Sequence, residues 1–353
     1  MREITADQAI AAAQRVLRPY TLDVRDVAWF SVYEVGQRVT DRFDDVRPED
    51  AAARLPRVFI AGDACHTHSA KAGQGMNVSM QDAFNLGWKL VSVLEGRAGP
   101  ELLRTYSTER RAIAQELIDF DRRWSKTMSS PPKDPAHPER GGVDPAELQA
   151  QFMQSGRYTA GVATRYAPAT PLTAEPTHQP LAAGFVIGMR FHSAPVVRLA
   201  DAKPVELGHV ARDDAAWRLY AFGDAGARRL LDLMAFLHDA ADSPVRRHTP
   251  EGADIDSVLD VRAVYQQAHR ALKVEELPPM LLPRKGRLGL VDYEKAYTPD
   301  LKDGPDVFDL RGIDRAQGAL VVVRPDQYVA NVLPLAAHGE LARFFERFLL
   351  PRR

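Results

Sequence analysis

One cysteine, Cys65, stands in 353 residues, so neither an internal disulfide framework nor a CxxC redox pair can form. Glycine is almost missing from the first forty residues, where Gly36 stands alone. No later segment reads strand, GxGxxG, helix, so the loop that cradles a dinucleotide pyrophosphate is not found. Neither sign of charge is in excess: 46 Lys and Arg face 47 Asp and Glu, a net of −1. That balance gives no broad attraction to nucleic acid or to an anionic bilayer. No apolar run approaches the roughly 20 residues that span a membrane. The opening Met1-Arg-Glu-Ile-Thr-Ala-Asp-Gln8 lacks the apolar core of a signal peptide. Together these absences predict a cytoplasmic α/β protein with neither nucleic-acid nor membrane partners, long enough for two domains.

What is present concentrates between residues 57 and 96. Arg57-Val-Phe-Ile-Ala-Gly-Asp-Ala-Cys-His66 runs into Lys71-Ala-Gly-Gln-Gly-Met-Asn77. The apolar run Val58 to Ala61 predicts a strand that Gly62-Asp63 breaks, and Asp63 then sits at the ligand-facing end of that strand. A carboxylate there suits the hydroxyls of a sugar or polyol. A helix is predicted from about Met76 to Glu95, with Met76, Met80, Ala83, Phe84, Gly87, Leu90, Val91 and Leu94 as its apolar face and Gly96 as its C-cap. Gly73 and Gly75 strip side chains from its N-terminus, whose backbone N–H groups suit an anion or an electron-rich ring edge.

This segment closely resembles the second flavin-binding motif of the FAD-dependent aromatic hydroxylases. The Cys65-His-Thr-His68 and Lys71 to Asn77 version is most similar to the phenol 2-monooxygenase and 3-hydroxybenzoate 4-monooxygenase branch. The resemblance implies that Asp63, on the Gly62 turn, binds the ribityl chain of FAD. It implies likewise that Gly73, Gln74, Gly75, Met76 and Asn77 lie against the isoalloxazine ring. Where the branch usually has proline this chain has Ala70, which relaxes the loop. Leu103-Arg-Thr-Tyr-Ser-Thr-Glu-Arg-Arg111 and Trp29-Phe-Ser-Val-Tyr-Glu-Val-Gly-Gln-Arg38 also resemble the branch. The latter lies within a strand predicted over Val27 to Val35, and the resemblance implies Tyr33 facing the aromatic substrate and Arg38 near the cofactor. Alternate strand positions equally allow Trp29 and Tyr33 to be core aromatics.

The chemistry implied is a monooxygenase in which NAD(P)H reduces FAD, molecular oxygen adds at flavin C4a, and the hydroperoxide hydroxylates a phenol ortho to its hydroxyl. A complete member opens with GxGxxG, so the chain reads as the C-terminal portion of such an enzyme, and no catalytic base is assigned. Residues 1–128 are expected to be the C-terminal part of the FAD-binding and substrate domain. Residues 129–182, with Pro131, Pro132, Pro135, Pro138 and Pro145, read as a linker.

Residues 183–353 read as a separate domain. A strand is predicted at Trp217 to Phe222, a helix at Ala225 to Leu237, and a helix at Ala263 to Leu272. A hairpin follows at Gly318 to Val323 and Gln327 to Val332, with Pro325 at position i+1 of its turn. A final helix is expected to bury Leu341, Phe344, Phe345 and Phe348. This order resembles a thioredoxin-like fold, the C-terminal module of the phenol hydroxylase branch, and implies a homodimer. Without CxxC it cannot run thioredoxin chemistry.

Two other classes stay open. One is a non-catalytic interaction module that keeps a vestigial flavin lobe. The other is a metal hydrolase built on Asp63, His66 and His68, since Asp and His-x-His are common ligands; metal binding, however, does not account for Gly73 and Gly75. Cys65 beside His66 offers a nucleophile, but without an oxyanion-hole context.

Overall fold

A computed structural model describes residues 4–32, 36–69, 73–131, 133, 136–137, 141–159, 162–299 and 305–352. Helix α1 (Ala6–Val16) opens on a capping box between Thr5 and Gln8, and buries none of its residues. Strands β1 (Arg38–Val39) and β2 (His66–Thr67) pair antiparallel, with Arg38 opposite Thr67. Helix α2 (Gly75–Leu94) closes on Gly96, whose φ of +68° is the left-handed conformation of a helix stop. A 3₁₀ turn, Pro100–Leu103, leads into α3 (Arg104–Ser129), and α4 (Pro145–Thr159) follows within the segment read as linker.

The second half is built on one mixed sheet. Its strands are β3 (Pro195–Arg198), β4 (Lys203–Glu206), β5 (Trp217–Phe222) and β6 (Leu259–Val264), then β9 (Ala296–Pro299), β10 (Ala319–Val323) and β11 (Val329–Leu333). The short pair β7 (Arg284–Lys285) and β8 (Leu290–Val291) stands apart from it. Helices α5 (Arg228–Asp239), α6 (Pro244–His248), α7 (Val307–Leu310) and α8 (His338–Glu346) complete the chain. The sheet order is β11-β10-β5-β6-β9-β3-β4. Strands β5 and β6 run parallel across α5, and β10 pairs antiparallel with β5. The four strands β11-β10-β5-β6 with α5 and α8 form the thioredoxin-like core.

Period-two alternation divides β5 between two faces. Trp217, Leu219 and Ala221 pack with Leu230, Leu233, Phe344 and Phe345. Tyr220 and Phe222 meet Phe185, Phe191 and Phe308 on the other side. Trp88 of α2 belongs to the first cluster and makes an edge contact with Trp217 at 5.9 Å. The two halves therefore share apolar packing.

Four expectations are corrected. Residues 27–32 form no strand and Trp29 is 82% exposed, because a strand needs a ladder partner and none of the described residues supplies one. Val58 to Ala61 makes a single bridge, Phe59 with Asp44, rather than a sheet strand, and Val58 stays exposed. Residues 263–272 are not helical: Ala263 and Val264 end β6, fixed by parallel pairing to Ala221 and Phe222, and only His269–Ala271 makes a 3₁₀ turn.

The fourth concerns α2. Its apolar stripe faces outward, with Met76 71% and Leu94 82% exposed, while Val78, Asp82, Asn85, Trp88, Lys89 and Ser92 are buried. Periodicity reports that a face is apolar, not which face a neighbour covers. Here α3 and the β10–β11 turn bring matched charges to the polar face. No helix among the described residues is long and apolar enough to cross a membrane.

Candidate functional site

The glycine-rich segment folds around a cleft of about 600 Å³ lined by Asp63, Thr67, His68, Ser69, Gly73, Gly75, Met76 and Ser79. Four of the sequence-predicted residues, Asp63, Gly73, Gly75 and Met76, are thus brought together. Of the others, Gly62 and Gln74 are buried behind the cleft wall, and Asn77 is half-buried on the first turn of α2. Exposed Arg38 stands on the strand beside Thr67. Tyr33 lies outside the described residues, as does Ala70.

Local geometry explains the glycines. Gly62 turns with φ +60°, and a Cβ there would press on Ser79 at 3.1 Å. At Gly75 a Cβ would lie 2.6 Å from the His68 imidazole, so this glycine lets the histidine ring pack on the helix start. The first turn of α2 leaves backbone N–H groups without intrahelical partners, directed at the cleft's end of the helix. Asp63 is exposed at its rim. The cleft thus places a carboxylate at its rim opposite the N-terminus of a helix.

Two carboxylates unmarked by the sequence reading hold the walls. Asp82, fully buried, accepts from the Gly62 N–H at 3.2 Å, from His66 Nε2 at 2.8 Å and from Arg110 Nε at 2.6 Å. Burial alone would raise its carboxyl; the hydrogen bond from His66 and the Arg110 guanidinium overrule that and hold it below the ordinary value. Asp121 of α3 accepts from the Ser69 N–H at 2.8 Å, from the Ser69 hydroxyl and from Gln37 Nε2 at 2.7 Å. Its carboxyl is likewise lowered against the opposing effect of burial, with the Ser69 contacts leading. A signal existed: α2 carries just one acidic and one basic residue, Asp82 and Lys89. Lone charges inside an apolar helix are seldom buried unless paired.

The competing chemistries find less support. His66 spends Nε2 on Asp82, and its ring stacks on that of His68 at 6.3 Å. No group of three or more His, Cys, Asp or Glu side chains that could hold a metal occurs among the described residues. Cys65 is buried, and burial, seconded by the Asp82 charge, pushes its thiol up to about 12. A thiol so raised is a poor nucleophile. Iodoacetamide at pH 8 should therefore leave Cys65 unmodified in the folded chain and alkylate it within minutes in guanidinium. Rapid modification of the native protein would show that the pocket opens.

Residues 158–353 match the family model for the phenol hydroxylase C-terminal dimerisation domain, and residues 1–121 match an FAD-binding domain model. A 3-hydroxybenzoate 4-monooxygenase of Comamonas testosteroni is 59% identical, over 99% of this chain and 55% of its own length. A phenol 2-monooxygenase, fsqG, of Aspergillus fumigatus is 35% identical over 98% of this chain and 55% of its own. The chain spans about half the length of the curated relatives it matches. Among solved structures, BexE superposes with a TM-score of 0.53 at 20% identity, over 99% of this chain and 53% of that one. Aklavinone-11 hydroxylase gives 0.52 at 22%, over 89% and 46%. With a dimerisation-domain match over more than half of its length and an FAD-binding-domain match over residues 1–121, the chain belongs to the FAD-dependent aromatic hydroxylases of the phenol hydroxylase type.

Proposed function

We propose that the chain holds the ribityl and isoalloxazine end of FAD in a monooxygenase that hydroxylates a phenolic ring ortho to its hydroxyl, with NAD(P)H as reductant. The observation that carries this is the cleft in which Asp63 faces the glycine-rich start of α2. The ortho position is supported by the name of the 59% relative, since position 4 of a 3-hydroxylated ring adjoins the hydroxyl. When bound, the flavin supplies two-electron activation of dioxygen; one oxygen atom enters the ring, the other leaves as water, and NAD(P)H supplies the two electrons. The chain's own part is to bind and orient. Asp63 accepts from ribityl hydroxyls, and the helix start steadies negative charge on the reduced ring. Residues 1–128 would form the cofactor lobe, 129–182 a connection, and 183–353 the module through which two copies associate.

A visible-absorbance titration of the purified chain with FAD tests this. Flavin uptake is expected, with Asp63→Ala weakening it by about 10- to 100-fold, the effect of losing charge-assisted hydrogen bonds worth about 1.5–3 kcal/mol. Equal affinity in the variant would remove Asp63 from the site. A wild-type chain that takes up no FAD yet sediments as a dimer would favour the interaction module, which the dimerisation-domain match supports.

A further inference from the structure

The polar face of α2 belongs to a continuous buried network that reaches the far end of the chain. Lys89 Nζ donates to Asn85 Oδ1 at 2.7 Å and to Glu109 Oε2 at 2.8 Å. Glu109 receives a two-pronged contact from Arg324, at 2.6 and 2.9 Å. Arg324 also grips Asp326 through Nε and Nη2, at 2.9 and 2.8 Å. Both residues lie in the β10–β11 turn, where Pro325 takes position i+1 and the Gln327 N–H closes on the Arg324 carbonyl at 2.9 Å.

From that turn the contacts run on to the cleft. The Arg324 guanidinium lies over the Tyr166 ring at 4.5 Å. The Tyr166 hydroxyl accepts from Asn85 Nδ2 at 3.2 Å and from Arg110 Nη1 at 3.0 Å. Arg110 then holds Asp82, which holds the Gly62 N–H on the turn that presents Asp63. Arg324, Tyr166, Arg110 and Asp82 are each at least 97% buried, so water does not loosen the links.

We propose that Arg324 and Asp326 are positioning residues of the cofactor site: the hairpin turn of the dimerisation domain sets the Gly62–Asp63 turn through Tyr166, Arg110 and Asp82. The C-terminal domain then braces the cleft from behind, through contacts with the Gly62 turn rather than as part of the cleft lining. As a statement about flavin this rests on the FAD reading above; as a statement about which residues hold the turn it stands on contacts alone.

The test uses the full chain and two readouts. Hydrogen exchange of a peptide covering residues 57–69 is followed alongside FAD titration, in wild type, Arg324→Met, Arg324→Lys, and Leu237→Ala, a core truncation in α5 away from the network. Arg324→Met is expected to speed exchange of 57–69 about tenfold, weaken FAD about tenfold and shift the flavin band. Arg324→Lys should recover part of each, and Leu237→Ala should move neither. If Arg324→Met does not fold, Tyr166→Phe, which deletes the joining hydroxyl and keeps the ring, gives the same comparison. Unchanged exchange in 57–69, or an equal rise in Leu237→Ala, overturns the proposal whatever FAD does. A wild-type chain without FAD affinity would instead sink the flavin reading, and the exchange data would still decide whether the hairpin holds the turn.

Discussion

Glu109→Ala is expected to lower the unfolding free energy by about 3–5 kcal/mol, the loss that follows when one partner of a buried ion pair is removed. The wild-type network is balanced: Lys89 and Arg324 oppose Glu109 and Asp326, all four buried. Removing Glu109 leaves a net positive charge with no route to water. Burial already lowers the Lys89 ammonium to about 8, with the Arg324 charge adding to the effect and Glu109 opposing it. Adding Lys89→Met to Glu109→Ala restores charge balance, leaving Arg324 paired with Asp326, and should recover more than half of the loss. Chemical denaturation of the single and double variants measures both effects. An additive pair would mean that the charges do not see one another.

Acid should reproduce part of the effect. Burial by itself would raise the Glu109 carboxyl, but Arg324 and then Lys89 hold it well below the ordinary carboxylate range. A depressed carboxyl contributes stability that is whole above its unfolded value of about 4.3 and is lost as pH falls below it. Wild-type stability should thus decline on acidification from about pH 4, and the Glu109→Ala variant should decline less steeply.

Gly188→Ala should cost about as much for a steric reason. Gly188 has φ +87°, and a Cβ there would stand 2.1 Å from the Tyr166 carbonyl oxygen. The backbone is fixed on both sides: the Tyr166 N–H donates to Gly188 O at 2.9 Å, and the Gly188 N–H donates to Val329 O at 2.8 Å. Left-handed strain of about 1–3 kcal/mol and overpacking of about 1–3 kcal/mol together give roughly 2–6 kcal/mol. Gly73→Ala is the contrast: φ is +63° but none of the described residues lies within 4 Å of its Cβ position, so about 1–2 kcal/mol of strain is expected. Melting curves of the two variants separate clash from conformation. Equal shifts would show that Tyr166 yields readily.

Much of the C-terminal half was legible because its signals are local. Trp217 to Phe222 is β5 residue for residue, Pro325 occupies its turn, and Leu341, Phe344, Phe345 and Phe348 are buried as their spacing predicts. Helix α2 was placed to within a residue at its start, yet its buried face was missed. That face depends on Glu109, Arg110 and Arg324, whose approach no helical period encodes. The Val27 to Val32 segment failed for a related reason: β propensity describes a residue's fit to a sheet and does not supply the neighbouring strand. At the cleft, Asp63, Gly73 and Gly75 belong to one motif legible in the sequence, whereas Asp82 and Asp121 bond from behind and appear only when the elements are packed.

The Arg324–Glu109 pair joins residues 215 positions apart. At about 5–20 residues per second of synthesis a ribosome takes roughly 10–40 s to travel between them. Through that interval α2 and α3 hold Lys89 and Glu109 without the arginine that completes their set. Early domains ordinarily settle before later ones emerge, but the charge set shared by α2 and α3 is complete only once Arg324 has been made. A nascent chain halted before Ala319 therefore carries the buried Lys89 and Glu109 of α2 and α3 without the Arg324 that pairs with Glu109.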